Sequence, residues 1–134
     1  MPETRPLTLG KDERICSTAL VEQIFKGGKS RSMSAFPLRM VYTLVPRVGD
    51  EPRAKMMVSV PKRCFKRAVK RNRVKRQVRE AYRHNKYTLI DRMQLLHPDE
   101  TVAVAFVCID NSLHPTEKIA AKVENLLNRL CERL

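Results

Sequence analysis

The chain has 134 residues, with 27 Lys and Arg against 14 Asp and Glu, a net charge of +13, and 43% hydrophobic residues. This composition suits a single domain, residues 1–134, with its own core and a polyanionic partner, a nucleic acid before an anionic membrane surface. No apolar run approaches the ~20 residues of a membrane span, and the opening Met1-Pro2-Glu3-Thr4-Arg5 lacks a signal peptide's apolar stretch, so a cytoplasmic protein without membrane partners is expected.

In chain order, residues 1–14 are expected to be a flexible N-terminal segment. Leu20, Val21, Ile24 and Phe25 predict a short amphipathic helix over about 17–26, capped by Ser17 or Thr18 and ended by Gly27-Gly28. Residues 29–34 read as a polar, basic loop. Residues 38–45 read as a strand, with Leu38, Met40, Tyr42 and Leu44 on one face and Arg39, Val41, Thr43 and Val45 on the other. A turn over 46–53 leads to a second strand, 54–60, with Met56, Val58 and Val60 on one side; the two strands are expected to pair as a hairpin. Pro61 stops the second strand because it has no donor for a ladder. A strongly basic helix follows, then a weakly helical stretch over 86–96 and a loop at His97-Pro98-Asp99. The apolar run TVAVAFVCI, 101–109, is the pattern of a strand buried on both faces. Ile119, Val123, Leu126, Leu127, Leu130 and Leu134 mark a last amphipathic helix from about Pro115. The order α-β-β-α-β-α predicts an α+β two-layer sandwich, a small mixed sheet covered by helices.

The charge is concentrated. Residues 62–83 hold eleven cations and one acid, Glu80, which is +10 of the net +13. A solvated helix face usually mixes signs, because like charges at i,i+4 repel. Here Arg71, Lys75, Arg79 and Arg83 run four apart on one stripe, which a polyanion would relieve with release of its counterions. Val74, Val78, Ala81 and Tyr82 still follow the spacing of one buried helical face, so the basic helix belongs to the folded domain.

No catalytic set stands out. Cys16, Cys64, Cys108 and Cys131 form no Cys-x-x-Cys pair and have no His at zinc-ligand spacing; three of them sit in apolar patterns and read as small buried hydrophobes. His84, His97 and His114 are scattered, and the carboxylates form no cluster for a two-metal site. Neither a protein active site nor a protein metal site is expected.

The stretch Ala68-Val69-Lys70-Arg71-Asn72-Arg73-Val74-Lys75-Arg76-Gln77-Val78-Arg79-Glu80-Ala81-Tyr82-Arg83 resembles the RNR motif of the bacterial ribonuclease P protein subunit. Val58-Ser59-Val60-Pro61-Lys62-Arg63 resembles that family's Val-Ser-Lys-Lys segment. Ile24-Phe25-Lys26-Gly27-Gly28 and Met40-Val41-Tyr42-Thr43-Leu44 resemble its first helix and first strand. The chain departs from the family at Pro61, often Ser, at Cys64-Phe65, where a Gly is usual, and at Val21, where a further aromatic is common.

The resemblance implies a protein without catalytic residues that assists a catalytic RNA in cutting the 5′ leader from precursor tRNA. The Mg2+ ions would be held through the RNA, and one protein monomer would join one RNA. It implies a left-handed β-α-β crossover, and a cleft between first helix, motif helix and sheet that receives the leader. By matching position, Arg63, Lys66, Lys70, Asn72, Arg73 and Arg76 would face the RNA subunit, and Phe25, Met40, Tyr42, Arg71, Lys75 and Arg79 the leader. A single-stranded leader needs a basic groove and a few π-faces. Phe25 and Tyr42 are available for that, although Phe25, four residues after Val21, equally fits a core position. The rival reading is a small structural RNA-binding protein of ribosomal type, which shares the charge, size and fold class. A nuclease acting alone is disfavoured by the missing acidic cluster.

Overall fold

A computed structural model describes residues 8–134. A 3-10 turn, Lys11–Glu13, precedes α1 (Thr18–Lys26), β1 (Arg31–Ala35), β2 (Leu38–Pro46), β3 (Ala54–Ser59), α2 (Ala68–Leu96), β4 (Glu100–Cys108) and α3 (Thr116–Arg133). The fold is α+β with a four-stranded mixed sheet in the order β1-β2-β4-β3. Neighbouring strands are antiparallel except β3 and β4, which run parallel and are joined by α2. The expected order of elements holds, with one short strand added.

Period-two alternation divides the sheet into two unlike faces. Leu38, Met40 and Tyr42 of β2, Met56 and Val58 of β3, and Val102, Val104 and Phe106 of β4 face α2 and α3 in the main core. On the reverse face α1 lays Ile24 and Leu20 over Val41, Ala103 and Ala105. Ser17 caps α1 by accepting from the Leu20 amide, and Gly28, at φ +75°, takes the left-handed turn that lets the chain leave it.

Three sequence expectations are corrected. Residues 31–35 form edge strand β1 rather than loop, with Met33 buried in the core and Ala35 packed against it. Strands β2 and β3 do not pair as a hairpin; β4 lies between them, because its apolar run suits an inner position buried on both faces. Helix α2 is continuous to Leu96, since Leu89 and Met93 extend the buried stripe of Val74, Val78, Ala81 and Tyr82. Lys86 interrupts that stripe in sequence, yet it is buried at 3% exposure with its Nζ on the Thr8 carbonyl and 2.8 Å from Glu13 Oε1.

The same contacts fix the described part of the N-terminal segment. Residues 1–7 of the expected flexible segment lie outside the described residues. Residues 8–14 are held by Lys86 at one end, and at the other by Arg14, which bridges to Met56 and places Ile15 N 2.9 Å from Met56 O.

Val78, fully buried, is expected to lose about 1–3 kcal/mol of folding stability on change to Ala, read by thermal melts. The buried Tyr82 hydroxyl has no hydrogen-bond partner among the described residues, and burial holds its phenol well above the usual range. Tyr82→Phe should therefore match or exceed the parent in stability. For the Lys86–Glu13 pair, Glu13→Ala strands a buried ammonium and should destabilise by more than Lys86→Met, which removes the charge along with its partner's task. Equal melting points for the two variants would contradict that.

Candidate nucleic-acid interface

Strand β3 runs out at Pro61, and the chain turns through Cys64 and Phe65, whose amides both reach the Pro61 carbonyl. Phe65 is buried and anchors the turn in the main core. Helix α2 starts at Ala68 with no side-chain cap and no acidic residue in its first turn. Its positive dipole end is thus set among Lys62, Arg63, Lys66, Arg67 and Lys70, all exposed. Arg71 donates from Nη1 to the carbonyls of Phe65 at 2.9 Å and Lys66 at 2.6 Å and so closes the turn onto the helix. Lys62, Arg63, Lys66, Arg67 and Lys70 make no ion pair among the described residues, an arrangement that favours a bound anion.

Asn72, Arg76, Arg79 and Arg83 fall within an arc of about 60° on α2, at 100° per residue. They line a groove of about 520 Å³, closed on the far side by Thr8, Leu9 and Arg14 from the N-terminal segment. Arg76 and Arg79 pair with no carboxylate among the described residues. Glu80, at the groove's edge, is engaged by Arg83 and by His84 Nε2 at 3.2 Å. The Arg83 contact above all holds the Glu80 carboxyl below its usual range, so its charge persists in mild acid.

The cations expected to divide between two RNA surfaces are grouped differently in space. Arg79 shares its groove with Asn72 and Arg76, because i, i+4 and i+7 positions stack on one helical face. Arg73 and Lys70 lie on the neighbouring exposed face, and Arg63 and Lys66 on the turn before the helix. Lys75 and Arg71 are half-buried on the opposite flank, where Arg71 is occupied by the two carbonyls.

Two residues expected at the leader cleft lie elsewhere. Met40 is fully buried and Tyr42 is 6% exposed, both on the α2–α3 side of the sheet. The reason is alternation: with Leu38 they form the apolar face of β2, the face that the two long helices cover. Phe25 is 45% exposed and lies on the reverse face, where it borders a shallow groove with Arg39 and Val41. Cross-strand register aligns Ser34, Arg39, Val107 and Ser59 in one row on that face. All four are exposed or half-exposed, since α1 covers the adjacent row instead. The result is a polar floor with a cation in the middle and an aromatic ring beside it.

Sequence reasoning missed Arg14 and Arg39. Arg39 was signalled by a cation opposite the apolar face of a strand. Arg14 carried no local signal, since only the docking of the N-terminal segment brings it to α2. Cys108 and Cys131 are buried, which pushes their thiols up, while Cys64 is half-buried and Cys16 exposed. Nowhere among the described residues do three His, Cys, Asp or Glu side chains converge as a metal site would require, and no helix there is long and apolar enough to cross a membrane.

Residues 9–131 match the family model described as Ribonuclease P. The chain belongs to the ribonuclease P family. The ribonuclease P protein component of Porphyromonas gingivalis is 39% identical over 132 residues, spanning 95% of this chain and 90% of its own. That of Chlorobium phaeobacteroides is 27% identical over 128 residues, spanning 92% and 88%. The structure of the Staphylococcus aureus RNase P protein superposes with a TM-score of 0.66 at 19% identity, covering 88% of this chain and 94% of that one. A mutant of the same protein, described as defective in mRNA degradation activity, gives 0.65 at 20% identity. At these identities the two structures speak for the fold alone.

The Arg71 contacts separate it from its neighbours. Arg71→Ala should lower stability by about 1 kcal/mol, as two partly exposed hydrogen bonds to carbonyls are lost. Arg73→Ala, fully on the surface, should leave the melting temperature unchanged. A stability loss confined to Arg73→Ala would reverse this assignment.

Proposed function

We propose that the chain is the protein subunit of ribonuclease P, which binds the catalytic RNA and the 5′ leader of precursor tRNA and supports leader removal. The single observation that carries this is the groove in which Arg14, Asn72, Arg76, Arg79 and Arg83 converge on the family's motif helix. Guanidinium forks suit phosphate oxygens, and a groove whose Arg76 and Arg79 have no carboxylate partner among the described residues matches a folded RNA backbone better than a single small anion. The chemistry belongs to the RNA, which would hold Mg2+; the side chains here bind, orient and neutralise phosphate. The protein acts as one monomer per RNA in the cytoplasm.

The leader takes the reverse face. An extended single strand needs a shallow floor, a cation for its backbone and a π-face for a base. The row Ser34, Arg39, Val107 and Ser59, with Phe25 beside it, meets those needs on the open side of the sheet. Met40 and Tyr42 would then act from below, by keeping β2 rigid, and not by touching RNA.

The test is reconstitution with a bacterial ribonuclease P RNA at low Mg2+, reading correct 5′ maturation. Arg76→Ala should weaken binding to the RNA subunit and lower the salt slope by somewhat under one unit, as one phosphate contact is lost. Phe25→Ala and Arg39→Ala should each reduce the preference for precursor carrying a leader over mature tRNA, about tenfold for Phe25, in line with one stacked base. RNA binding without any support of maturation would favour the structural RNA-binding reading instead.

A further inference from the structure

Phe36 is the most exposed of the seven aromatic rings, at 54%, and neither the arginine groove nor the leader floor uses it. It stands at the turn between β1 and β2 and packs perpendicular to the His114 ring, with centroids 6.1 Å apart and planes at 87°. An edge-to-face pair at this distance is a stable aromatic contact, and the exposure of Phe36 leaves ring surface open to a third π-system.

The ring is held on both sides by the framework. His114 Nε2 lies 2.7 Å from Asp110 Oδ2, a contact that holds the Asp110 carboxyl below its usual range. The His114 carbonyl accepts from Gln77 Nε2 at 3.1 Å, and the same Gln77 nitrogen meets Thr116 Oγ1 at 3.2 Å. Gln77 belongs to α2, so the aromatic pair is tied directly to the motif helix. On the other side, the amide of Ile109 donates to the Pro37 carbonyl at 3.0 Å. Ile109 and Leu113 are themselves exposed and continue the apolar patch.

Cations surround this patch. Arg73 and Lys70 precede Gln77 by one and two helical turns on the same side of α2, and both are exposed. Cys64 Sγ reaches the Cys108 carbonyl at 3.6 Å, which sets the turn carrying Arg63 and Lys66 beside the end of β4. Of the acids near it, Asp110 is occupied by His114, and Glu117 stands exposed in the first turn of α3. An open aromatic face with cations around it has the chemistry that recognises an unpaired base, the ring taking the base and the cations its flanking phosphates.

We propose that Phe36, seated on His114, is a stacking platform for an unpaired base of the RNA subunit whose neighbouring phosphates are held by Arg73 and Lys70. This rests on the reading of the chain as the ribonuclease P protein subunit. The RNA subunit is the occupant, and not the leader, because the platform is joined to α2 through Gln77 while the leader floor lies on the reverse face of the sheet, in the row that α1 leaves open.

The test compares Phe36→Ala, Phe36→Leu and Phe36→Trp with Arg73→Ala in titrations against ribonuclease P RNA over a range of salt. Phe36→Ala and Phe36→Leu should each lower affinity about tenfold, within what loss of one stacked base produces. Their salt slope should equal the parent's, since no phosphate contact is removed; Arg73→Ala should lower the slope. Phe36→Trp should keep the affinity. As the chain has no other Trp, its emission should be quenched on RNA binding and unaffected by mature tRNA alone. Thermal melts of all variants check that each is folded. Parent affinity in Phe36→Ala and Phe36→Leu overturns the platform while leaving the subunit reading intact, provided Arg73→Ala still weakens binding. A loss seen only with leader-bearing precursor assigns the ring to the leader and overturns it equally. If neither the Phe36 variants nor Arg73→Ala alters binding, the subunit reading of this surface fails as well.

Discussion

The structure depends on how one helix is seated. Helix α2 holds most of the chain's excess positive charge, yet it must bury Val74, Val78, Ala81, Tyr82, Leu89 and Met93 against the sheet and α3. Repulsion along its surface opposes the compact state, and the apolar stripe opposes that repulsion. Two polar residues inside the stripe secure the docking instead of weakening it. Gln77 reaches the start of α3, and Lys86 ties down the N-terminal segment through Glu13 and the Thr8 carbonyl. Because these contacts are long-range, the helix is fixed in rotation, and its cations face directions set by the fold.

That fixed rotation divides the surface by chemistry. One face of α2 and the arm bearing Arg14 enclose an arginine groove. The neighbouring face, with Arg73 and Lys70, runs toward Gln77 and the ring pair of Phe36 and His114. The reverse side of the sheet stays partly open because α1 is only nine residues long and covers Val41, Ala103 and Ala105 but not the row of Arg39. On the proposed reading, an RNA partner would complete the electrostatics of the first two surfaces, its phosphates supplying the countercharge that the sequence withholds from them.

Much of this was legible from the residues. The spacing of Val74, Val78, Ala81 and Tyr82 specified the docked face of α2, and the run 101–109 specified a strand buried on both sides. The excess of cations over 62–83 pointed to a polyanion, because like charges at helical spacing are unfavourable without one. The motif with its preceding strand indicated the family. These signals are local, and each is carried by side chains within a few turns or one strand.

Other features had no local signal. The edge strand 31–35 presents only Met33 and the small Ala35 to the core among polar neighbours, so it reads as loop until β2 offers it a ladder. Lys86 reads from the sequence as the start of a weakly helical stretch, since the partners that bury it lie more than 70 residues away. Tyr42 resembled a cleft residue by position in a motif, yet the face of β2 that it shares with Leu38 and Met40 is the one the long helices cover. The sequence by itself determined the elements, the charged helix and its buried stripe, because periodicity and charge are properties of neighbouring residues. Only the tertiary structure decided the strand order, which side of the sheet α1 covers, and which cations stand together, because these depend on contacts between distant segments that no local pattern encodes.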